Sequence, residues 1–86
     1  MRTERWTVLV NIDEHSDHTS AEARLQTRGG IAGRGLAKRN PRDTDIPEIG
    51  AELATARALS DLAHQLLDAS IADVEEATGR SATFRS

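Results

Sequence analysis

Residues 45–79 read DIPEIGAELATARALSDLAHQLLDASIADVEEATG, the longest stretch of the sequence with helical periodicity. Asp45 followed three residues later by Glu48 is typical of a helix N-cap with a capping box. Pro47 falls in the first turn, where its missing N–H does no harm. Gly79 is a typical residue just after a last helical turn. The pattern therefore predicts one long helix that ends near Gly79.

Apolar residues recur along this helix so that they form one continuous stripe. The stripe consists of Ile49, Leu53, Ala56, Leu59, Ala63, Leu66, Leu67, Ile71, Val74 and Ala77. We expect this stripe to be the face that the sheet covers.

A second strip of mostly small residues flanks the stripe and would allow close helix–helix approach. It consists of Ala51, Ala58, Leu62 and Ala69. The two strips together are too wide for one sheet face, so we expect the second to form a homodimer interface. The alternative is that these alanines are surface positions filled by a good helix former.

Two alternating stretches precede the helix and predict a hairpin of two strands. From Arg5 to Asp13, a half-buried strand places Trp6, Val8, Val10 and Ile12 on one side. After a polar turn, the return strand places Thr19, Ala21, Ala23, Leu25 and Thr27 on one side.

Residues 31–39 form the third candidate strand, in which Gly33 and Gly35 favour a bulge or a close backbone approach. The order predicts an α+β fold, a three-stranded antiparallel meander followed by one long C-terminal helix. Residues 1–79 would form a single domain and residues 80–86 a flexible tail. About 32 helical residues span roughly 48 Å, whereas eight-residue strands span about 27 Å. Either the helix breaks near Ala69, or its far half packs against something outside the chain.

The composition excludes several classes of protein. The 86 residues include no cysteine, which excludes a disulfide framework, a thiolate metal site and a cysteine nucleophile. The longest apolar run, Val8 to Val10, is far too short to span a membrane. We therefore expect a cytoplasmic protein with a formal net charge of −3.

Two clusters resemble catalytic or metal sites in composition only. Asp13, Glu14, His15, Asp17 and His18 crowd the first turn, which we interpret as a hydrated turn rather than a metal site. Ser60, Asp61 and His64 lie within about one helical turn, where the geometry of a catalytic triad is not available. The sequence thus predicts no enzyme, no cofactor and no small-molecule substrate.

The only basic block contains six cations and no acidic residue. It consists of Arg24, Arg28, Arg34, Lys38, Arg39 and Arg42. Alternate strand residues share a face, so a cationic sheet surface suited to phosphates would result if the strand residues point away from the helix. The alternative is a charged face that keeps a sheet soluble. No aromatic residue occupies the outer strand positions, which disfavours readout of single-stranded bases.

Several segments together resemble a known family: Trp6-Thr7-Val8, Ile12-Asp13-Glu14-His15, Ala21-Glu22-Ala23-Arg24-Leu25, Gly35-Leu36-Ala37, Asn40-Pro41, Asp45 to Gly50 and Ala58 to His64. The chain resembles a family of small actinobacterial proteins of unknown function, frequent in mycobacteria and streptomycetes, with a double-stranded-RNA-binding-like fold. The resemblance implies a β-β-β-α core, dimers, an association with stress or dormancy, and similarity to ribosome hibernation factors. It implies no catalytic residue. We therefore expect a non-enzymatic protein that binds the ribosome or structured RNA through the basic sheet face, or alternatively a protein–protein interaction module without nucleic-acid binding.

Overall fold

The structure is a computed structural model and describes residues 1–27, 30–39 and 46–79. Strand β1 spans Val8–Glu14, β2 spans His18–Leu25, β3 spans Ala32–Lys38, and helix α1 spans Pro47–Thr78. The strands form one antiparallel sheet in the order β1-β2-β3, and α1 follows. The predicted α+β fold with a long C-terminal helix is confirmed. The predicted tail, residues 80–86, lies outside the described residues.

The central strand β2 supplies most of the sheet's contribution to the core. Thr19, Ala21, Ala23 and Leu25 are buried, and the residues between them are only partly buried. The predicted alternation is therefore confirmed from Thr19 to Leu25, whereas Thr27 lies beyond the strand and is exposed. Leu25 is the one large side chain that is fully buried among the described residues.

Strand β1 is exposed along its whole length, so the prediction of a half-buried strand was wrong. The register places Val8, Val10 and Ile12 opposite Leu25, Ala23 and Ala21, on the side of the sheet that carries the helix. The helix, however, packs mainly on β3, less on β2 and least on β1. The apolar side of β1 therefore remains 36–42% exposed at these three valine and isoleucine residues.

Gly33 and Gly35 let the helix backbone approach β3 closely. A Cβ on Gly35 would lie 2.5 Å from the backbone nitrogen of Ala58 and still closer to the carbonyl oxygen of Ala54. A Cβ on Gly33 would meet the backbone of Ala58 and Leu62 in the same way. The register between β2 and β3 continues without interruption, so of the two predicted readings, a bulge or a close approach, the close approach is right.

This close approach decides which side of the helix faces the sheet. The buried helix residues are Ala54, Ala58 and Leu62. Most of the predicted stripe was the wrong face, because Ile49, Leu53, Leu59 and Val74 are 57%, 41%, 42% and 37% exposed. Leu66 of the stripe does pack against the core. Where Gly33 and Gly35 approach the helix backbone there is no room for large side chains, so Ala54 and Ala58 pack there, and Leu62 is buried one turn further along.

The helix is one continuous element of 32 residues, so it does not break near Ala69. Pro47 is its first residue, as predicted for the first turn, but Ile46 stands at the N-cap position. Asp45, the predicted N-cap, lies outside the described residues. At the other end, Gly79 adopts φ 68° and donates its N–H to the carbonyl of Glu75 at 2.7 Å, which confirms the predicted glycine stop. No helix in the described part of the chain is long and apolar enough to cross a membrane.

Helix side chains close the outer edge of β3. Gln65 Nε2 donates to the carbonyl of Ala32 at 2.6 Å, and the N–H of Arg34 donates to Asp61 Oδ2 at 2.8 Å. Arg57 Nη1 donates to the carbonyl of Leu36 at 2.6 Å. The three helix residues are four apart and so share one side of the helix. They bond three of the backbone groups that an edge strand would otherwise present to another chain.

Candidate functional site

The side of the sheet turned away from the helix is the candidate site, and we call it the open face. It is formed by Leu9, Asn11 and Asp13 of β1, His18, Ser20, Glu22 and Arg24 of β2, and Ala32, Arg34, Leu36 and Lys38 of β3. These are the residues that alternate with the buried positions of β2, together with their cross-strand neighbours. The predicted candidates Arg24, Arg34 and Lys38 therefore share the surface expected of them.

Glu22 links the two arginines of the open face. Its Oε1 accepts from Arg24 Nε and lies 3.2 Å from Arg24 Nη2, and its Oε2 lies 3.1 Å from Arg34 Nη2. The pairing of Glu22 with Arg34 across β2 and β3 brings the groups together. Arg24 Nη1 also donates to the carbonyl of Gly30 at 3.0 Å, so this guanidinium is held at several points.

Arg34 is the most available cation of this group. Its side chain is 71% exposed, compared with 44% for Arg24 and 28% for Glu22. It contacts Glu22 through Nη2, which leaves the rest of its planar fork directed at solvent. A guanidinium fixed in this way can donate two parallel hydrogen bonds to a phosphate or carboxylate.

The other predicted cations lie elsewhere or outside the described residues. Lys38 is exposed at the end of β3, opposite His18. Arg39 donates from Nη2 to the carbonyl of Ser16 at 3.0 Å, and its N–H donates to the carbonyl of Asp17 at 3.0 Å. Arg39 therefore fastens β3 to the first turn. The predictions for Arg28 and Arg42 fall on residues that are not described.

The open face is less positive than the sequence block indicates. Asp13 and Glu22 lie on it beside Arg24, Arg34 and Lys38, so these five residues sum to one positive charge. A shallow depression on this face is lined partly by Asp13, Glu22 and Arg34. The surface therefore offers localised anion contacts around Arg34 rather than a uniform positive field.

The residues predicted to form a dimer interface have a different place in the fold. Ala58 and Leu62 are 0% and 4% exposed beneath the chain's own sheet. They are not available to a second protomer, and their assignment is corrected to the core of a single chain. Ala51 and Ala69, each seven residues from one residue of this pair, are partly buried on the same helix.

The first turn is an ordered cluster of side chains rather than a ligand cage. The rings of His15 and His18 stack with centroids 4.3 Å apart, and His18 Nδ1 lies 2.7 Å from Asp17 Oδ1. The hydrogen bond from His18, followed by its charge, lowers the pKa of the Asp17 carboxyl. Within residues 1–27, 30–39 and 46–79, no group of three or more histidine, aspartate and glutamate side chains is arranged to hold a metal ion.

Asp61, one of the three helix residues with a triad-like composition, has a structural role. Its Oδ2 accepts from the backbone of Arg34 and lies 3.2 Å from Gln65 Nε2. Sequence reasoning missed this role, and the four-residue spacing of Arg57, Asp61 and Gln65 was the signal that could have indicated it.

Comparison with known proteins gives a consistent family. An Rv2632c-like family model matches residues 4–83. The chain is 49% identical over 80 residues to the uncharacterized protein Mb1767 of Mycobacterium bovis, covering 92% of this chain and 85% of that one. It is 47% identical over 75 residues to the uncharacterized protein Rv2632c of Mycobacterium tuberculosis, covering 86% and 81% of the two chains. The crystal structure of Rv2632c superimposes with a TM-score of 0.86 at 42% identity, covering 93% of this chain and 96% of that one. The chain therefore belongs to the Rv2632c-like family.

Proposed function

We propose that the protein is a non-enzymatic, cytoplasmic RNA-docking protein whose open face binds phosphates of structured RNA, such as that of the ribosome. The observation that supports this most is the placement of Arg24, Arg34 and Lys38 on one surface that the helix does not cover. A role in stress or dormancy, and a similarity to double-stranded-RNA-binding domains and hibernation factors, rest on the family resemblance alone.

The helix N-terminus is a poor alternative site for RNA. Helix N-termini attract phosphates, but Glu48 lies in the first turn of this helix and Glu52 in the second. Both carboxylates would repel a phosphate backbone. The open face is therefore the better surface for contacts with RNA.

The open face favours structured RNA over single strands. Its eleven residues include no tryptophan, tyrosine or phenylalanine on which a base could stack, and the ring of His18 is already stacked on His15. Binding would depend on phosphate contacts, with little sequence preference. With three such contacts, affinity should fall about 40-fold between 50 and 200 mM salt, from a slope of about −0.9 per phosphate.

Duplex RNA and purified ribosomes, titrated at these two salt concentrations, provide the test. Arg34→Gln combined with Lys38→Gln should abolish most binding, whereas Arg2→Gln, a cation at the N-terminus, should change it little. Glu22→Gln should strengthen binding about fivefold, because removing one carboxylate beside a phosphate is worth about 1 kcal/mol at water-like screening. Glu52→Gln is its matched control on the helix. Absent or salt-independent binding would contradict the proposal.

A protein–protein interaction module is the second candidate, and the exposed apolar side of β1 favours it. Capture of partners from cells after nuclease treatment separates the two functions. Proteins that remain bound after the RNA is digested would support the interaction module, whereas partners lost with the RNA would support docking to RNA.

A further inference from the structure

The side of α1 that faces away from the sheet carries an exposed apolar seam. Ala54, Ala58 and Leu62 are buried beneath the sheet. At about 100° of rotation per residue, the opposite side of the helix carries six apolar residues that we call the outer seam. These are Ile49, Leu53, Ala56, Ala63, Leu67 and Val74; Leu67 is partly buried and the other five are exposed. The seam therefore has the composition of a packing surface but lies on the solvent side of the molecule.

The spacing of the outer seam is typical of a helix that pairs with another helix. Ser60 and Ser70 fall in its two gaps, so the positions from Ile49 to Val74 lie alternately four and three residues apart. The middle of the seam is made of small residues, which let a second helix backbone come close. A helix is therefore the element whose shape fits this surface.

The charges around the outer seam indicate which kind of helix fits. Residues 46–79 contain seven acidic residues against one arginine, a net charge of −6 with His64 neutral. Arg57, the one arginine, donates to the β3 edge. Glu48 lies on one flank of the seam, and Asp68 and Glu75 lie on the other. The surface is thus apolar along its middle and negative on both sides.

The C-terminal end of α1 favours a cationic partner for a second reason. Asp73, Glu75 and Glu76 lie near this end, and the last turn contains no basic residue. The C-terminus of a helix carries partial negative charge, so carboxylates there destabilise the free helix. A partner with positive charge would offset both the carboxylates and the dipole.

We propose that the outer seam docks a basic amphipathic helix of another protein. The apolar side chains of the partner would cover the seam, and its lysine and arginine residues would reach the acidic flanks. The partner helix would run antiparallel to α1, because its positive N-terminus is then beside the acidic C-terminal end of α1. Docking does not depend on RNA binding, because the outer seam and the open face lie on opposite sides of the molecule.

Charge separates this partner from other occupants of the seam. A nucleic acid or an anionic membrane would bring negative charge against the acidic flanks. A second copy of α1 would bring the same net charge of −6. Each of these surfaces would be repelled where a basic helix is attracted.

Two synthetic peptides of about 21 residues, three heptads, provide the probe. Both carry the same leucine seam, and one has lysine and the other glutamate at the flanking positions. Fluorescence anisotropy of the labelled peptides should show binding of the lysine peptide and none of the glutamate peptide. Binding of the lysine peptide should weaken as salt is raised.

Variants of the chain locate the binding surface. Leu53→Gln should weaken binding of the lysine peptide about tenfold, through lost apolar contact. Ile12→Gln is its matched control on β1, since these residues are 41% and 42% exposed, and it should change binding little. Asp68→Asn combined with Glu75→Gln should weaken binding about fivefold, through two lost ion pairs at the surface. Ala56→Arg, which puts a long cation in the middle of the seam, should abolish it.

Circular dichroism checks that each variant keeps its helix, and sedimentation checks that Leu53→Gln keeps the mass of the wild type. A change in that mass would assign the seam to a second copy and overturn the proposal. Equal binding of the two peptides would overturn it as well. So would wild-type affinity in both Leu53→Gln and Ala56→Arg, or a loss at Ile12→Gln as large as that at Leu53→Gln.

Discussion

Adding a single methyl group at Gly35 should destabilise the protein severely. The new Cβ of Gly35→Ala would lie 2.5 Å from the nitrogen of Ala58 and 2.8 Å from Cβ of Arg57, and closer still to the carbonyl oxygen of Ala54. Ordinary Cβ contacts begin at 3.4 Å. Two of the three neighbours are backbone atoms, which cannot rotate away, so the helix must retreat from the sheet by about 1 Å.

The size of the effect follows from that retreat. A gap of about 1 Å loses a quarter to a half of the dispersion energy of each contact between helix and sheet. Overpacking costs about 1–3 kcal/mol, and a clash between two backbones belongs at the upper end, about 3 kcal/mol. Domains of this length have a free energy of unfolding of about 4–13 kcal/mol. The melting temperature should therefore fall by about 12–24 °C.

Thermal unfolding followed by circular dichroism, at one fixed protein concentration, measures this loss. Gly79→Ala is the control, because its Cβ would meet nothing within 4 Å although its φ of 68° disfavours alanine. The free energy of unfolding of that variant should be lower than that of the wild type by only about 1 kcal/mol. Gly35 has no positive φ, so its cost must be steric. A Gly35→Ala variant that melts within a few degrees of the wild type, or above it, would refute the close approach.

Three further perturbations test the core, the β3 edge and the first turn. Leu25→Ala should lower the free energy of unfolding in urea by about 2–5 kcal/mol because Leu25 is 1% exposed, whereas Leu59→Ala, at a residue 42% exposed, should cost well under half of that. Asp61→Ala should lower the free energy of unfolding by about 1–2 kcal/mol, because the N–H of Arg34 loses its acceptor. It should also promote aggregation on heating, measured by light scattering. Asp61→Asn keeps an acceptor and should lower the free energy of unfolding less. The pKa of Asp17 is depressed by its hydrogen bond to His18, so this carboxylate stabilises the fold above its ordinary value of 3.8 and ceases to do so as the pH falls through the lower folded value. The difference in melting temperature between the wild type and Asp17→Asn should therefore be constant just above pH 3.8 and should shrink as the pH falls below that value. A difference that persists into stronger acid would contradict the role of that contact.

Much of the fold could be predicted because hydrophobic alternation and helix stop signals are local. The alternation from Thr19 to Leu25 and the glycine at position 79 predicted a central strand and a helix end that the structure contains. The helix face could not be predicted by ranking side chains for hydrophobicity. Its choice depends on Gly33 and Gly35, which lie on another element and leave space only for a helix backbone.

The candidate site was predicted in part for a similar reason. Counting charges along the chain identified a block free of acidic residues, but an antiparallel sheet sets residues distant in sequence side by side. Glu22 is opposite Arg34 and two residues from Arg24, so it binds both. Only the strand register, fixed by the two connecting turns, reveals that partial neutralisation.

Among the described residues, helix side chains bond backbone groups at the β3 edge of the sheet but not at the β1 edge, and this difference affects stability. The core beneath the helix is made largely of alanine, and the larger apolar side chains, Val8, Val10 and Ile12 among them, lie outside it. Burying alanine contributes little compared with valine or isoleucine, since the gain scales with the apolar area removed from water. A chain of this size is therefore only marginally stable by itself. The exposed large apolar side chains lie partly on or beside β1, at Trp6, Val8, Leu9, Val10 and Ile12, and partly on the outer side of the helix. Any partner surface that covers one of these two regions would supply burial that a single chain lacks.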